Sequence, residues 1–314
     1  MASHPDPNSA CPLCKSKGKL LQKILEPVYE QQFDVHKCTS CSVCYTFPQP
    51  SAELLTKIYS GEYWLRAKKG ESSLRMTGVV QRFNRARLAA MVYPLVKRLQ
   101  PGDRILEVGC GSGQLAVYLQ ECGFEVEVTD VSREVLDEIA AAYNISGFCG
   151  DLQDITFSGA PYQAVIFNNV LEHLGAPVEN LKVARHILDR NGYLFLEVPN
   201  IESVQFTLFR GSWFPLQLPE HLFHFSPDSL KKITETCDLK RVWLSTFSPR
   251  VSPAGYVASI FPFLRPDRLR RSMSKPLLAL YLGLQLIFLP VAYVESLFNR
   301  GSAVRVIYRK HSGL

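Results

Sequence analysis

Short runs rich in β-branched and apolar residues alternate with amphipathic segments between residues 101 and 247. The runs are typical of buried strands, and they read RILEVG, EVEVTDV, SGFCGD, QAVIFNNV, GYLFLEVPN and KRVWLSTF. The segments between them, such as SREVLDEIAAAY and PVENLKVARHILD, place apolar residues at helical spacing. Strands separated by helices of this length form a parallel sheet with helices on both faces. With SAVRVIYRK (302–310) as the last strand, the pattern predicts an α/β fold with a doubly wound, mostly parallel seven-stranded sheet.

An apolar insertion interrupts this alternation before the last strand. No charged residue occurs between Pro276 and Val294, and a run of that length can span a bilayer. A single crossing would separate residues 302–310 from the rest of the sheet. We therefore expect a helix broken near Pro290, a re-entrant hairpin or a helix in the membrane plane. Basic residues before the run suit anionic headgroups, and they are Arg265, Arg268, Arg270, Arg271 and Lys275.

The alternative for the apolar insertion is a protein interface, either on the domain itself or on a second copy in a homodimer. We favour membrane contact because so long an uncharged run is typical of membrane segments. The N-terminal segment MASHPDPNSA has no apolar core of the kind that a cleaved secretion signal needs. The expected location is cytoplasmic, peripheral or monotopic on the cytoplasmic face of the membrane.

Charge and length narrow the function classes. The chain has 35 basic and 29 acidic residues, and its formal net charge of +6 is small for a dedicated nucleic-acid binder. The length suits one large domain with smaller additions. We divide the chain into a Cys-rich head, a helical connector or lid, a core, the apolar insertion and a closing strand, at residues 1–50, 51–100, 101–250, 251–300 and 301–314.

Cysteines in the Cys-rich head form two CxxC knuckles, each of which can deliver two thiolates to one tetrahedral metal ion. The spacing is typical of a zinc ribbon and predicts a structural Zn²⁺ on Cys11, Cys14, Cys38 and Cys41. Metal binding would supply folding free energy to a segment with few large apolar residues. Cys44 could replace Cys41, and His36 is a weaker candidate ligand. The segment lacks an aromatic platform for nucleic acid.

Three glycines at alternate positions follow the strand RILEVG and precede a helix. Because glycine has no Cβ, the backbone N–H groups of such a loop and the positive end of the helix can face a ligand. A dinucleotide-binding loop would carry its third glycine at position 114, where this chain has Gln114. The pattern Glu107-x-Gly109-x-Gly111-x-Gly113 instead resembles motif I of class I S-adenosylmethionine (SAM) dependent methyltransferases.

The resemblance extends beyond the glycine loop. LEVGCGSG, NNVLEHL, GYLFLEVPN and WFPLQLPEHLFHFSPDSL resemble the branch of ubiquinone-type O-methyltransferases and of enzymes that modify sugars and lipids, which often carries a Cys-rich head. This implies a Rossmann-like methyltransferase fold that binds SAM. Asp130 ends the second strand, where a carboxylate can accept both ribose hydroxyl protons, and the family binds the adenine amino group at the position of Asp151. The implied cofactor residues are Glu107, Gly109, Cys110, Gly111, Gly113, Asp130, Val131, Asp151, Leu152, Asn168 and Asn169.

Methyl transfer from a sulfonium is an in-line displacement, so an oxygen acceptor must be deprotonated and held near the methyl carbon. The segment PEHLFHFS follows the fifth strand, at the edge where parallel sheets bind ligands. A histidine suits proton removal there. We predict His221 as the base, with Glu220 or His173 as its orienting partner; the alternative is that His221 caps a loop or only binds the acceptor. Residues that could line an acceptor pocket are Tyr63, Trp64, Arg82, Trp213 and His224.

Together these features predict a SAM-dependent methyltransferase that methylates an oxygen of a lipid-linked or amphipathic small molecule at a membrane surface. A quinone precursor and a glycan-type acceptor are the two substrate classes that we consider. Two other functions stay open at this point: a zinc-ribbon nucleic-acid methyltransferase or binding module, and an inactive SAM-fold scaffold that recruits a partner.

Overall fold

The structure is a computed structural model that describes residues 10–26, 31–59, 78–157, 159, 161–266 and 275–310. The strands are β1 (Gly18–Glu26), β2 (Gln31–Cys38), β3 (Cys44–Phe47), β4 (Arg104–Val108), β5 (Glu125–Asp130), β6 (Ser146–Cys149), β7 (Tyr162–Asn168), β8 (Leu188–Pro199), β9 (Phe223–His224), β10 (Leu239–Ser245) and β11 (Ala303–Lys310). The α-helices are α1 (Ala52–Tyr59), α2 (Gly78–Val96), α3 (Gln114–Glu121), α4 (Arg133–Tyr143), α5 (Pro177–Ile187), α6 (Val204–Phe209), α7 (Pro227–Glu235), α8 (Ser252–Ile260) and α9 (Lys275–Leu297).

Seven strands form the central sheet, in the order β10-β11-β8-β7-β4-β5-β6. Neighbouring strands are parallel except at β11, which runs antiparallel to β8 and β10. Alternate residues of the central strands enter two separate cores, Leu106 and Val165 in one and Ile105 and Ile166 in the other. Burial on both faces explains the nearly continuous apolar runs. The predicted doubly wound, mostly parallel seven-stranded sheet is confirmed.

The strand order reverses beside β4, and this reversal determines where a ligand can bind. From β4 the chain continues outward through β5 and β6, then crosses back to form β7 and β8 on the other side of β4. In open α/β sheets the ligand crevice lies outside the carboxyl ends of the strands at such a switch point. The glycine loop directly follows β4 and therefore lies at this crevice.

The boundary between α5 and β8 differs from the predicted one. Helix α5 ends at Ile187 and β8 begins at Leu188, although the helical spacing continues to residue 189. Leu188 pairs with Tyr162 of β7, and the register shifts before Ala164. Strand pairing therefore overrides the local helical preference, because tertiary contacts outweigh propensity at an element's end.

The Cys-rich head packs directly on the core. Strands β1, β2 and β3 form an antiparallel sheet whose fourth strand, β9, comes from the core segment after β8. Phe33 and Val35 of β2 share an apolar cluster with Phe206 and Trp213 of the core. The head and the core therefore bury their apolar faces against each other.

Helix α9 continues through Pro290, so the expected break near that proline is wrong, as is a re-entrant hairpin within residues 275–297. A proline removes one helical hydrogen bond, but packing on α8 supports the helix: the rings of Tyr256 and Phe288 stack with centroids 5.0 Å apart. Among the described residues, α9 alone is long and apolar enough to cross a membrane, and only 11% of its most apolar window is buried. Most of this apolar helix is therefore uncovered.

We expect Trp213→Ala to lower the free energy of unfolding by about 3–5 kcal/mol, because it opens a cavity in the cluster that joins head and core. Trp213 is 2% exposed, and its ring centroid lies 5.6 Å from that of Phe206. Urea denaturation measures the change. The control is Leu208→Ala on α6, which truncates an exposed side chain and should change the free energy by less than about 0.5 kcal/mol. Equal losses in the two variants would contradict the shared core.

Candidate active site

A cleft of about 270 Å³ opens at the carboxyl ends of β4, β5 and β7. Its wall includes predicted residues from several segments, namely Gly109, Asp130, Val131, Asp151, Leu152, Asn169 and His173. It also includes residues that the sequence reasoning missed, namely Val108, Thr129, Gly150, Val170, Leu174 and Gly175. Val108, Thr129 and Gly150 lie at or directly after strand ends, and that position is the signal that could have found them. The other three lie in the loop after β7, where no such signal exists.

The glycine loop can form part of the wall because three of its residues have no side chain. Gly109, Gly111 and Gly113 have φ values of 64°, 52° and 71°, in the left-handed region that favours glycine. A Cβ at Gly109 would lie 2.8 Å from a methyl carbon of Val170, and one at Gly113 would lie 2.8 Å from a methyl carbon of Ile139. Backbone conformation and packing both require glycine at these two positions.

Asp130 ties the glycine loop to the end of β5. Its Oδ2 accepts a hydrogen bond from the N–H of Gly111 at 3.0 Å, and its Oδ1 accepts one from the N–H of Ser132 at 3.0 Å. Burial raises the pKa of this carboxyl above its usual value. Because a carboxylate offers about four acceptor positions, Asp130 keeps the capacity to accept hydrogen bonds from ligand hydroxyl groups.

Asp151 supplies a second carboxyl group to the wall. Its Oδ1 is buried and has no hydrogen-bond partner among the described residues. Burial raises the pKa of the Asp151 carboxyl above its usual value. The preceding residue, Gly150, donates its N–H to the carbonyl oxygen of Asp130 at 3.0 Å, which links the two acidic positions. A ligand amino group would satisfy the buried oxygen of Asp151.

The remaining predicted cofactor residues are not part of the wall, and they are Glu107, Cys110, Gly111, Gly113 and Asn168. Glu107 is 3% exposed, and burial raises the pKa of its carboxyl to about 8, so it is mainly protonated at neutral pH. Asn168 accepts a hydrogen bond on Oδ1 from Nδ2 of Asn169 at 3.0 Å.

Two histidines and a glutamate meet beside the cleft. The ring centroids of His173 and His221 lie 4.5 Å apart, and one ligand atom from each of these histidines and from Glu172 lies within 4.8 Å of the others. His173 lines the cleft, whereas His221 is 2% exposed and is not part of the wall. Neither carboxyl oxygen of Glu172 has a hydrogen-bond partner among the described residues. Such a cluster could pass a proton or hold a metal ion.

Burial determines the protonation of this cluster. It lowers the pKa of His173 to about 4 and that of His221 well below its usual value, and it raises the pKa of Glu172 to about 8. Both imidazoles are therefore neutral at pH 7. Nδ1 of His173 lies 3.1 Å from the carbonyl oxygen of Glu220. Because a carbonyl only accepts, Nδ1 carries the hydrogen and Nε2 is the basic nitrogen of His173.

The Cys-rich head holds the loop that carries His221. The hydroxyl of Thr46 on β3 donates to the carbonyl oxygen of His221 at 2.6 Å, and the N–H of Thr46 donates to that of Leu222 at 3.0 Å. The N–H of Leu222 in turn donates to the carbonyl oxygen of Glu172 at 2.8 Å. The head and the site are thus joined through backbone groups.

The structure does not bring the predicted acceptor-pocket residues to the cleft. Trp213 lies in the cluster between head and core, Arg82 is exposed on α2, and His224 is buried in β9, where burial lowers its pKa to about 3. Tyr63 and Trp64 lie outside the described residues. Glu220 meets His173 through its backbone carbonyl, whereas Glu172 is the carboxyl group of the cluster. Residue type alone does not tell whether a side chain lines a pocket or packs between the head and the core.

Four thiols converge in the Cys-rich head. The sulfur atoms of Cys11 and Cys41 lie 3.7 Å apart and those of Cys14 and Cys38 lie 3.4 Å apart, with all four within 4.8 Å of one another. Tetrahedral coordination at the usual zinc–sulfur distance of about 2.3 Å places sulfurs about 3.8 Å apart. Cys44 and His36 are not part of the cluster: Cys44 pairs with His224, and His36 packs on the rings of Tyr45 and Phe47. The donor set fits a zinc ion.

Comparison with known proteins finds a matching family model and several similar proteins. Residues 80–243 match a family model described as a methyltransferase domain. The ubiquinone biosynthesis O-methyltransferase of Xanthomonas campestris pv. campestris (strain B100) is 24% identical over 160 residues, which cover 47% of this chain and 67% of that protein. The one from Xylella fastidiosa (strain 9a5c) is 30% identical over 114 residues, which cover 34% of this chain and 46% of that protein. The chain thus matches about half to two thirds of the length of these relatives.

Two solved structures are similar to this chain, and the first of them supports the fold. A methyltransferase in complex with the Haloferax volcanii Trm112 activator has a TM-score of 0.50 at 15% identity, over 72% of this chain and 92% of that chain. The magnesium protoporphyrin IX methyltransferase of Synechocystis PCC 6803 with bound SAH has a TM-score of 0.48 at 18% identity, over 62% of this chain and 92% of that chain.

We expect Asp130→Asn to weaken the binding of S-adenosylhomocysteine by at least tenfold. An amide can donate where the carboxylate accepts, and a hydrogen bond to a charged group contributes about 1.5–3 kcal/mol. Isothermal titration calorimetry measures the affinity, and an unchanged melting temperature would show that the fold is intact. Asp154→Asn, at a nearby exposed carboxylate, is the matched control and should bind as the wild type does. Equal affinity in both variants would contradict a ligand role for Asp130.

Proposed function

This chain belongs to the methyltransferase domain family and is a SAM-dependent methyltransferase, and from that premise we propose that it methylates an oxygen of a lipid-linked or amphipathic small molecule at a membrane surface. The observation that carries the acceptor class is α9, whose apolar surface is mostly uncovered. The names of the ubiquinone biosynthesis relatives support transfer to oxygen and a quinone precursor as the acceptor. A glycan-type acceptor is the other class that we consider.

Helix α9 supports contact with one side of a membrane. Strand β11 follows α9 after a short turn and lies between β8 and β10 in the same sheet as the glycine loop. The chain must therefore return to the side from which α9 starts, which an interfacial helix allows and a single crossing does not. We propose a peripheral or monotopic protein on the cytoplasmic face of the membrane.

We propose that Asp130 accepts hydrogen bonds from the ribose hydroxyls of SAM and that Asp151 accepts one from the adenine amino group. The free acceptor capacity of Asp130 and the unpartnered Oδ1 of Asp151 support these roles. Gly109 has no side chain to obstruct the methionine part, and glycine is required there because a Cβ would lie 2.8 Å from a methyl carbon of Val170. These contacts would orient the sulfonium for in-line transfer.

His173 is the better placed of the two histidines to remove the acceptor proton. Its ring lines the cleft, and its hydrogen bond to Glu220 leaves Nε2 as the basic nitrogen. His221, which the sequence favoured as the base, packs against His173 from the buried side and acts as a positioning residue. Most of the catalytic effect would come from proximity and the exclusion of water.

The five-part division of the chain is part of this proposal, with the Cys-rich head as a structural module. The four clustered thiols support a zinc ion. This ion would stabilise the turn before β1 and the turn after β2. Thr46 of the head donates a hydrogen bond to the loop of His221. By stabilising the head, the metal would therefore help to hold this loop in place, without contacting the acceptor itself.

We expect the full-length enzyme, incubated with methyl-labelled SAM and membrane lipid extracts, to produce a labelled lipid that mass spectrometry detects.

His173→Gln should lower kcat about 100-fold or more, because general-base catalysis contributes at least that factor. Since the base is neutral above its pKa of about 4, kcat of the wild type should be constant above about pH 5 and fall below it.

The matched control is His186→Gln, at an exposed histidine on α5, and it should retain wild-type kcat. Unchanged kcat in His173→Gln would contradict the assignment of the base. A label that appears only in water-soluble products would contradict the lipid acceptor.

We expect elemental analysis to find about one zinc ion per chain. Cys41→Ser should lose this zinc and lower the melting temperature, because metal binding contributes to the folding of the head. Cys44→Ser should keep the zinc, since Cys44 is outside the thiol cluster. Equal zinc content in the two variants would contradict the ligand set.

A further inference from the structure

A second cavity, of about 540 Å³, lies where the Cys-rich head meets the turn between α9 and β11, and we name it the junction cavity. It shares no lining residue with the SAM cleft. Four of its lining residues are basic and two are acidic, namely Lys37, Arg210, Arg241 and Arg300 against Glu202 and Asp228. The lining therefore has an excess of positive charge.

The two acidic residues cannot neutralise all three arginines. Nζ of Lys37 forms an ion pair with Glu202 at 2.8 Å, which accounts for one charge of each sign. Within the part of the chain that the structure describes, the three arginines form no ion pair with a carboxylate. Arg300 donates to the hydroxyl of Thr207 at 3.3 Å, and the guanidinium of Arg210 lies 5.7 Å from the ring centroid of Phe206. These guanidinium groups retain donors for an anion.

An apolar groove of about 480 Å³ adjoins the junction cavity. Val204 and the α9 residues Pro290, Val291 and Val294 line it. Phe298 and Arg300 belong to both linings, so the apolar groove and the charged cavity meet at the end of α9. This arrangement has the polarity of an amphiphile with a hydrocarbon chain and an anionic head.

We propose that the junction cavity binds the phosphate headgroup of an anionic membrane lipid, whose hydrocarbon chain lies in the apolar groove beside α9. Phosphate suits the site because a guanidinium can donate two parallel hydrogen bonds to phosphate oxygens. The inference rests on the membrane contact of α9 in the proposed function. It adds a specific headgroup class and a defined orientation of the protein on the bilayer.

Sedimentation of the full-length protein with vesicles tests this inference. The vesicles are phosphatidylcholine alone, or phosphatidylcholine with one fifth phosphatidic acid. We expect the wild type to bind both and to prefer the second, and we expect Arg241→Gln/Arg300→Gln to bind the second at least tenfold more weakly, since each cation near an anionic surface contributes roughly fivefold in affinity. The double variant should bind phosphatidylcholine vesicles as the wild type does.

The matched control is Lys182→Gln/Arg190→Gln, which removes the same charge from exposed residues away from the junction cavity and should lose less than threefold. An equal loss in both double variants would overturn the inference, because it would show general electrostatic attraction. Release of the wild type by 10 mM inorganic phosphate at constant ionic strength would overturn the lipid occupant in favour of free phosphate. Absence of wild-type binding to phosphatidylcholine would instead contradict the membrane contact in the proposed function. Unchanged binding by Arg241→Gln/Arg300→Gln to the vesicles with phosphatidic acid would contradict this inference alone.

Discussion

The hydrogen bond from the N–H of Gly111 to the carboxylate of Asp130 joins the ends of two neighbouring parallel strands, β4 and β5. It fixes a glycine-rich loop at the point where the strand order reverses. The same carboxylate faces the cleft. One acidic side chain thus shapes the loop and is presented to the ligand, and both effects require that the sheet be parallel, because only then do the two strand ends meet at one edge.

The site also depends on a part of the chain far from it in sequence. Thr46 of the Cys-rich head binds the backbone beside His221, and Leu222 binds that of Glu172. The buried cluster of His173, His221 and Glu172 is therefore held between the head and the carboxyl edge of the sheet. Burial shifts the pKa of His173 downward and that of Glu172 upward, so both side chains are mainly uncharged at neutral pH.

Both cavities lie at the same edge of the sheet. β8 runs parallel to β7 and ends at Pro199, opposite Ala303, where β11 begins. The SAM cleft lies at the ends of β4, β5 and β7, and the junction cavity lies at the end of β8 and the start of β11. A lipid bound at the junction cavity would therefore bring the bilayer to the edge that holds the proposed active site.

The strand and helix order, the glycine loop, Asp130 at the end of a strand and the two CxxC knuckles were evident from local patterns, whereas Asp151 was implied only by the resemblance to class I methyltransferases. Those patterns arise from contacts or conformations within a few residues, such as strand alternation, positive φ at glycine and the reach of a CxxC turn. The places of Trp213, His224 and Glu172 were not evident, because each is decided by a partner distant in the chain. Trp213 meets β2 of the head, His224 pairs with β3, and Glu172 meets His221. Likewise, the uncharged run of α9 is visible in the sequence, but its continuity through Pro290 depends on packing against α8. Long-range burial selects among roles that one residue type can fill equally well, and only the folded chain makes that selection.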